Sequence, residues 1–151
     1  MTRRGVDSNV LVYAHIPALA FHAPVRAFLL DQLRRADTRL ALTPLTLHEF
    51  AHVVTDARRF DPPVAMSEAI AIVRGYLGRS NVECLAVDEK AMMRALDLLE
   101  QHQLGRNRIA DALLAATFIE QGVSELITCN GADFAVFDGL AVVDPRGEVQ
   151  I

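Results

Sequence analysis

Gly5-Val6-Asp7-Ser8-Asn9-Val10-Leu11-Val12-Tyr13-Ala14 sets one carboxylate inside an apolar run near the start of the chain. Arg4 to Asp7 reads as a short first strand. Val10 to Ala14 continues apolar over a length at which helix and strand share one pattern. A charge in such a run is costly to bury unless something compensates it. A cation is the simplest compensation, and further oxygen ligands elsewhere in the chain would be its signature.

Outward from that run, apolar segments alternate between two periods. Val25, Phe28, Leu29, Leu30 and Leu33 recur at helical spacing behind Pro24, which suits a first helical position, and this helix should end between Arg34 and Asp37. Arg39 to Thr43 is a second strand closed by Pro44. A helix from Leu45 to about Arg58 follows, then a break at Asp61-Pro62-Pro63. The amphipathic stretch from Ser67 to Leu77 predicts a helix capped by Ser67 and ended at Gly78. Val82 to Val87 is a third strand, and Asp88 is a good N-cap for the helix carrying Met92, Ala95, Leu96 and Leu99, which Gly105 ends. Ile109 to Ile119 is a strong helix stopped by Gly122; Glu125 to Cys129 and Leu140 to Asp144 are strands four and five. Strands alternating with helices from end to end predict an α/β fold, a five-stranded parallel sheet covered by helices on both faces. No repeat, low-complexity segment or linker divides it, so residues 1–151 read as a single domain. In such folds ligands bind beyond the C-terminal ends of the strands, where strand order reverses.

The hydrophobic fraction of 52% is enough for a core that needs no disulfides. Cys84 and Cys129 form no C-x-x-C pair, lie in apolar strand-like surroundings and read as reduced core thiols of a cytoplasmic protein. No apolar run approaches the roughly 18 residues of a membrane span, and the N-terminus lacks the pattern of a signal peptide, so no membrane partner is expected. The net charge of -4 argues against a broad basic groove for nucleic acid. It leaves room for an acidic site holding metal that in turn binds phosphate. Lys90 is the only lysine among 15 basic residues, and a GC-rich coding genome accounts for most of the arginines.

Most acids, such as Asp97, Glu100, Glu120 and Glu125, read as solvated helix faces or caps. Four differ. Asp7 ends strand one, Glu49 lies early in the helix after strand two, Asp111 begins the Ala-rich helix, and Asp133 follows strand four. Each has a local explanation: Glu49 and Asp111 favour a helix dipole, and Asp133 makes an Asx turn. Together they fall at one edge of a doubly wound sheet, where a cation explains all of them. Hard divalent ions take oxygen ligands, and a carboxylate cluster around one can generate hydroxide and neutralise charge on a phosphate. Arg106 and Arg108 are placed to contact that phosphate, or simply to form a solvated basic loop.

Asp7-Ser8-Asn9-Val10-Leu11-Val12-Tyr13, then Glu49, then Asp111-Ala112-Leu113-Leu114-Ala115-Ala116-Thr117, then Thr128-x-Asn130-x-x-Asp133-Phe134 resemble a PIN-domain nuclease in order and spacing. Within that family the order and spacing resemble the single-domain ribonuclease toxins of the VapC type, and Gly139 to Pro145 is similar to them too. The resemblance implies a metal-dependent endoribonuclease in which Asp7, Glu49 and Asp111 hold Mg²⁺ or Mn²⁺. Relatives place a fourth acid at the position of Asn130 or of Asp133; here only Asp133 is acidic, and Asn130 would orient a water. Ser8, Asn9 and Thr128 would support the ligands. The resemblance also implies an RNA substrate, a VapB-like antitoxin partner and a homodimer.

His48-Glu49-Phe50-Ala51-His52 matches H-E-x-x-H, which on a helix can present two histidines to zinc with the glutamate as general base. Its extended form would need glycine and histidine where this chain has Thr55 and Arg58. A zinc metalloprotease leaves Asp7, Asp111 and Asp133 unexplained. A non-catalytic metal-binding module of the same fold is the third alternative.

Overall fold

The apolar run around Asp7 divides at that residue. In the computed structural model, which describes residues 1–147, Thr2–Val6 is strand β1 and Ser8–His15 is helix α1. The pattern that local sequence leaves open resolves as helix because Val10, Leu11 and Ala14 turn one face into the core. Helix α2 (His22–Arg34) leads to β2 (Thr38–Leu42), and α3 (Pro44–Val54) and α4 (Met66–Leu77) lead to β3 (Val82–Cys84). Helices α5 (Glu89–Gln101) and α6 (Ile109–Glu120) precede β4 (Glu125–Ile127), and the short α7 (Gly131–Phe134) precedes β5 (Ala141–Val143).

All four strand pairings are parallel, in the order β3-β2-β1-β4-β5. The chain builds outward from β1 in one direction, then crosses back to build in the other. Strand order therefore reverses between β1 and β4, which puts the expected ligand crevice beyond Val6 and Ile127. The sheet is buried on both faces. On one side Val6, Leu40, Leu42 and Ile127 pack with α1 to α4; on the other Ala41 and Leu126 pack with α5 to α7. Gly5 lets α6 cross β1 closely, since a Cβ there would meet the Phe118 ring at 2.8 Å. The predicted α/β architecture with five parallel strands and helices on both faces is the one observed. Among the described residues no helix is long and apolar enough to cross a membrane.

Several boundaries differ from the sequence expectations. Helix α2 starts at His22, so Pro24 is its third residue, still within the first turn where no N–H is needed. Pro44 opens α3, because Thr43 caps it by accepting from the Thr46 N–H. That helix stops at Val54 and not Arg58: the Thr55 hydroxyl donates to the Ala51 carbonyl at 2.7 Å, and Asp56 accepts from the Arg58 N–H at 2.9 Å, forming a turn. Ser67 is not a cap; α4 starts one residue earlier, with Ala65 at the N-cap position and no side-chain bond. Asp88 caps α5 as expected, accepting from the Ala91 N–H at 2.9 Å. That helix ends at Gln101, ahead of Gly105, and Gln103 takes the left-handed conformation at φ 54°. Cys129 is a buried thiol, but Cys84 is exposed, because β3 is an edge strand paired only with β2.

Candidate active site

Asp7 sits where β1 becomes α1. Its backbone N–H still donates to the Ile127 carbonyl at 3.0 Å, extending the β1–β4 pairing by one residue. Its side chain turns back as the N-cap of α1, with Oδ1 accepting from the Ser8 N–H at 2.8 Å. Oδ2 accepts from the Thr128 hydroxyl at 2.8 Å and from the Asn9 amide at 3.2 Å. The Thr128 hydroxyl in turn accepts from the Asn130 N–H at 3.0 Å, and Asn9 Oδ1 accepts from the Cys129 N–H at 3.1 Å. Ser8, Asn9, Thr128 and Asn130 thus lock the ends of β1 and β4 around one carboxylate.

Only 8% of Asp7 is exposed. Burial pushes its carboxyl up to about 6, against the pull of Thr128 and Ser8, and the Glu49 and Asp111 charges push the same way. Asp7, Glu49 and Asp111 line a cleft, about 480 Å³ in volume, together with Thr46, His48, His52 and Arg106. Glu49 reaches it from the second turn of α3, exposed; Asp111 reaches it from the first turn of α6, half-buried.

Arg108 holds Asp111, its Nε donating to Oδ2 at 3.0 Å. The same guanidinium donates to the Asp133 backbone carbonyl and lies over the Phe137 ring, 6.0 Å from its centre. The Asp111 carboxyl is raised by burial, opposed by Arg108, with further upward pushes from Asp133 and Glu49. Asp133 lies in α7, exposed, behind this arginine and outside the lining of the cleft. Arg106 is exposed at the rim and has no ion-pair partner among the described residues.

The donor set on the cleft floor is hard oxygen throughout, which suits Mg²⁺ or Mn²⁺. As the side chains stand, no three of the histidines, cysteines, aspartates and glutamates among the described residues are close enough to hold one ion. Mg²⁺ needs only one or two carboxylates and keeps its waters, so Asp7 with either rotating neighbour fits it. The same finding leaves His48, Glu49 and His52 without the third protein ligand that a zinc protease needs. Both histidines are exposed.

One polar lining residue, Thr46, escaped the sequence reading. Thr46 is buried beside Asp7, and its hydroxyl shares a hydrogen bond with that of Thr43 at 3.1 Å. Thr43-Pro44-x-Thr46 carries the signal of a helix start, with a hydroxyl ahead of proline at the first helical position.

A family model described as PIN domain matches residues 6–140. Ribonuclease VapC33 of Mycobacterium tuberculosis is 33% identical over 142 residues, covering 94% of this chain and 97% of that protein. Ribonuclease VapC43 of the same species is 36% identical over 126 residues, covering 83% of this chain and 85% of that protein. Among solved structures, VapBC2 from Rickettsia felis bound to a DNA fragment from the promoter matches with a TM-score of 0.67 at 18% identity. That match covers 94% of this chain and 98% of the other, and it concerns the fold.

Proposed function

Because this chain belongs to the PIN domain family, we propose that it is an endoribonuclease that hydrolyses RNA phosphodiester bonds with a divalent cation held by Asp7, Glu49 and Asp111. What supports the reading is one observation: three acids, from the β1–α1 junction, α3 and α6, line a single cleft at the point where strand order reverses. The ribonuclease relatives of similar length point to the same activity and to the toxin role of a VapBC-type pair. A small antitoxin is then the protein partner, a homodimer the expected assembly and the cytoplasm the expected compartment.

A bound Mg²⁺ or Mn²⁺ supplies a water of lowered pKa and positive charge beside the phosphate. Asp7, fixed by Ser8, Asn9 and Thr128, offers its carboxylate from the floor without reorganising. Glu49 and Asp111, less buried, would complete the hold on the cation, and whichever of the two is not bound to it would accept the one proton of the attacking water. The water oxygen would bond to phosphorus as the bond from phosphorus to the ribose oxygen breaks, and the leaving oxygen would take its proton from solvent water. Arg106 at the rim binds a neighbouring phosphate of the strand. Arg108 holds Asp111 in place, and Asp133 adds negative charge behind it.

The test is incubation of the purified chain with structured RNA and Mg²⁺ or Mn²⁺, beside Asp7→Asn and Asp111→Asn. Cleavage should require the cation and fall by about 100-fold or more in each variant, as when one charge-stabilising group is removed. Cleavage that survives both substitutions, or metal binding with no cleavage of any RNA tried, would sink the proposal. Expression in a host lacking the antitoxin should arrest growth, and the Asp7→Asn chain should not.

A further inference from the structure

Three of the five histidines have work within the fold. His15 Nε2 shares a hydrogen bond with the Tyr76 hydroxyl at 2.6 Å, His22 Nδ1 bonds the Tyr13 carbonyl at 2.7 Å, and His102 packs edge-on to Phe137. His48 and His52 do not. They lie one turn apart on α3, exposed, with rings nearly parallel: centres 6.0 Å apart and planes 7° apart. Neither makes a hydrogen bond or ion pair among the described residues. Both line the cleft that holds the three carboxylates, and the nuclease chemistry uses neither.

We propose that His48 and His52 form a second metal site, taking a borderline transition-metal ion of the Zn²⁺ class at the cleft rim, and that its occupation blocks RNA. Imidazole nitrogens select Zn²⁺, Ni²⁺ or Cu²⁺, whereas the carboxylate floor selects Mg²⁺ or Mn²⁺. The i,i+4 spacing puts both rings on one helix face, within reach of a shared ion. With only two protein ligands the remaining positions go to water, so the site is open and exchangeable, unlike a closed four-ligand structural site. An ion there stands beside Glu49, between the solvent and the cleft floor. His48 also borders an apolar groove that contains the exposed Cys84, whose thiolate is the competing ligand to exclude. The zinc site stands independently of the nuclease reading; only the block on RNA rests on it.

The experiment is a calorimetric titration of the untagged, metal-free full chain with Zn²⁺ alone, and a parallel Mn²⁺ titration followed by electron paramagnetic resonance. Zn²⁺ should bind wild type, Asp7→Asn and Cys84→Ser alike. It should weaken by more than about 100-fold in His48→Ala and in His52→Ala, exceeding the roughly 10–100-fold loss usual for an outer group. Mn²⁺ binding should persist in both histidine variants and fail in Asp7→Asn. Both histidines are exposed, and matching unfolding midpoints establish that the variants are folded. Zn²⁺ binding that survives both histidine substitutions, or disappears with Asp7→Asn or Cys84→Ser, overturns the site. In RNA cleavage with Mn²⁺, added Zn²⁺ should inhibit wild type and spare His52→Ala; equal inhibition of the two overturns the block. Absence of cleavage in every sample would remove the nuclease reading and leave the titration to decide the zinc site.

Discussion

At the scale of the residue, Asp7 is an acid that the fold charges at a cost. Its carboxyl titrates at about 6 in the folded chain against 3.8 for the unconstrained group, and burial is the main cause. Between those values the folded state binds a proton that the unfolded state releases, so stability falls as pH rises through the window. The cost is absent at low pH and complete above about pH 6. At about 1.4 kcal/mol per tenfold it amounts to about 3 kcal/mol. Asn in its place carries a fixed penalty, because its amide meets a Thr128 hydroxyl already accepting from Asn130, but that penalty does not change with pH. Urea unfolding in chelator should therefore show Asp7→Asn gaining on wild type by about 2–3 kcal/mol between about pH 4 and about pH 7.5. A gap that stays constant would mean that burial is not what raises this group. A divalent cation must displace the same proton, so Mn²⁺ should bind wild type more weakly near pH 5 than near pH 7.5.

At the scale of the element, what holds Asp7 in register is the crossing of α6 over β1. Gly5 has no room for a side chain against Phe118, which is fully buried. Gly5→Ala should cost about 1–3 kcal/mol as overpacking, and Phe118→Leu in the same chain should return part of it. A second element-level test is Thr43→Ala, which removes the cap of the helix that presents Glu49 and should cost about 1 kcal/mol. Thermal unfolding of these variants reads both effects, and full additivity of the Gly5 and Phe118 changes would show that they do not touch. These contacts also explain what was legible in the sequence. The order of strands and helices was, because a doubly buried parallel sheet leaves apolar runs that local punctuation separates. Asp7, Glu49 and Asp111 were legible as acids in apolar company. The helical state of Ser8–His15 was not, because burial of Val10, Leu11 and Ala14 against distant elements decides it. The exposure of Cys84 was hidden too, since strand order and not local pattern makes β3 an edge. Arg108, which reads in the sequence either as a phosphate contact or as part of a solvated basic loop, is instead bonded to Asp111 one turn away and to the Asp133 carbonyl, and the second contact depends on α6 and α7 meeting.

At the scale of the whole molecule, a chain of net charge -4 must bring a polyanion to an acidic cleft. Without a cation, the carboxylates on the floor repel the phosphates that the rim attracts. Arg106 is the arginine free to act at that rim: it is exposed, lines the cleft and has no ion-pair partner among the described residues. Arg108 is committed to Asp111. The two should therefore separate in experiment. In an Asp7→Asn background that leaves RNA intact, Arg106→Ala should weaken RNA binding and flatten its salt dependence by about one phosphate contact. Asp111 and its metal affinity should not change. Arg108→Ala should instead free the Asp111 carboxylate and alter Mn²⁺ binding in an otherwise wild-type chain. Fluorescence anisotropy over a salt series reads the first effect and paramagnetic titration of Mn²⁺ the second. If Arg106→Ala leaves the salt slope intact, the strand does not pass over that rim. The cleft would then have to be entered from the α3 side, across His48 and His52.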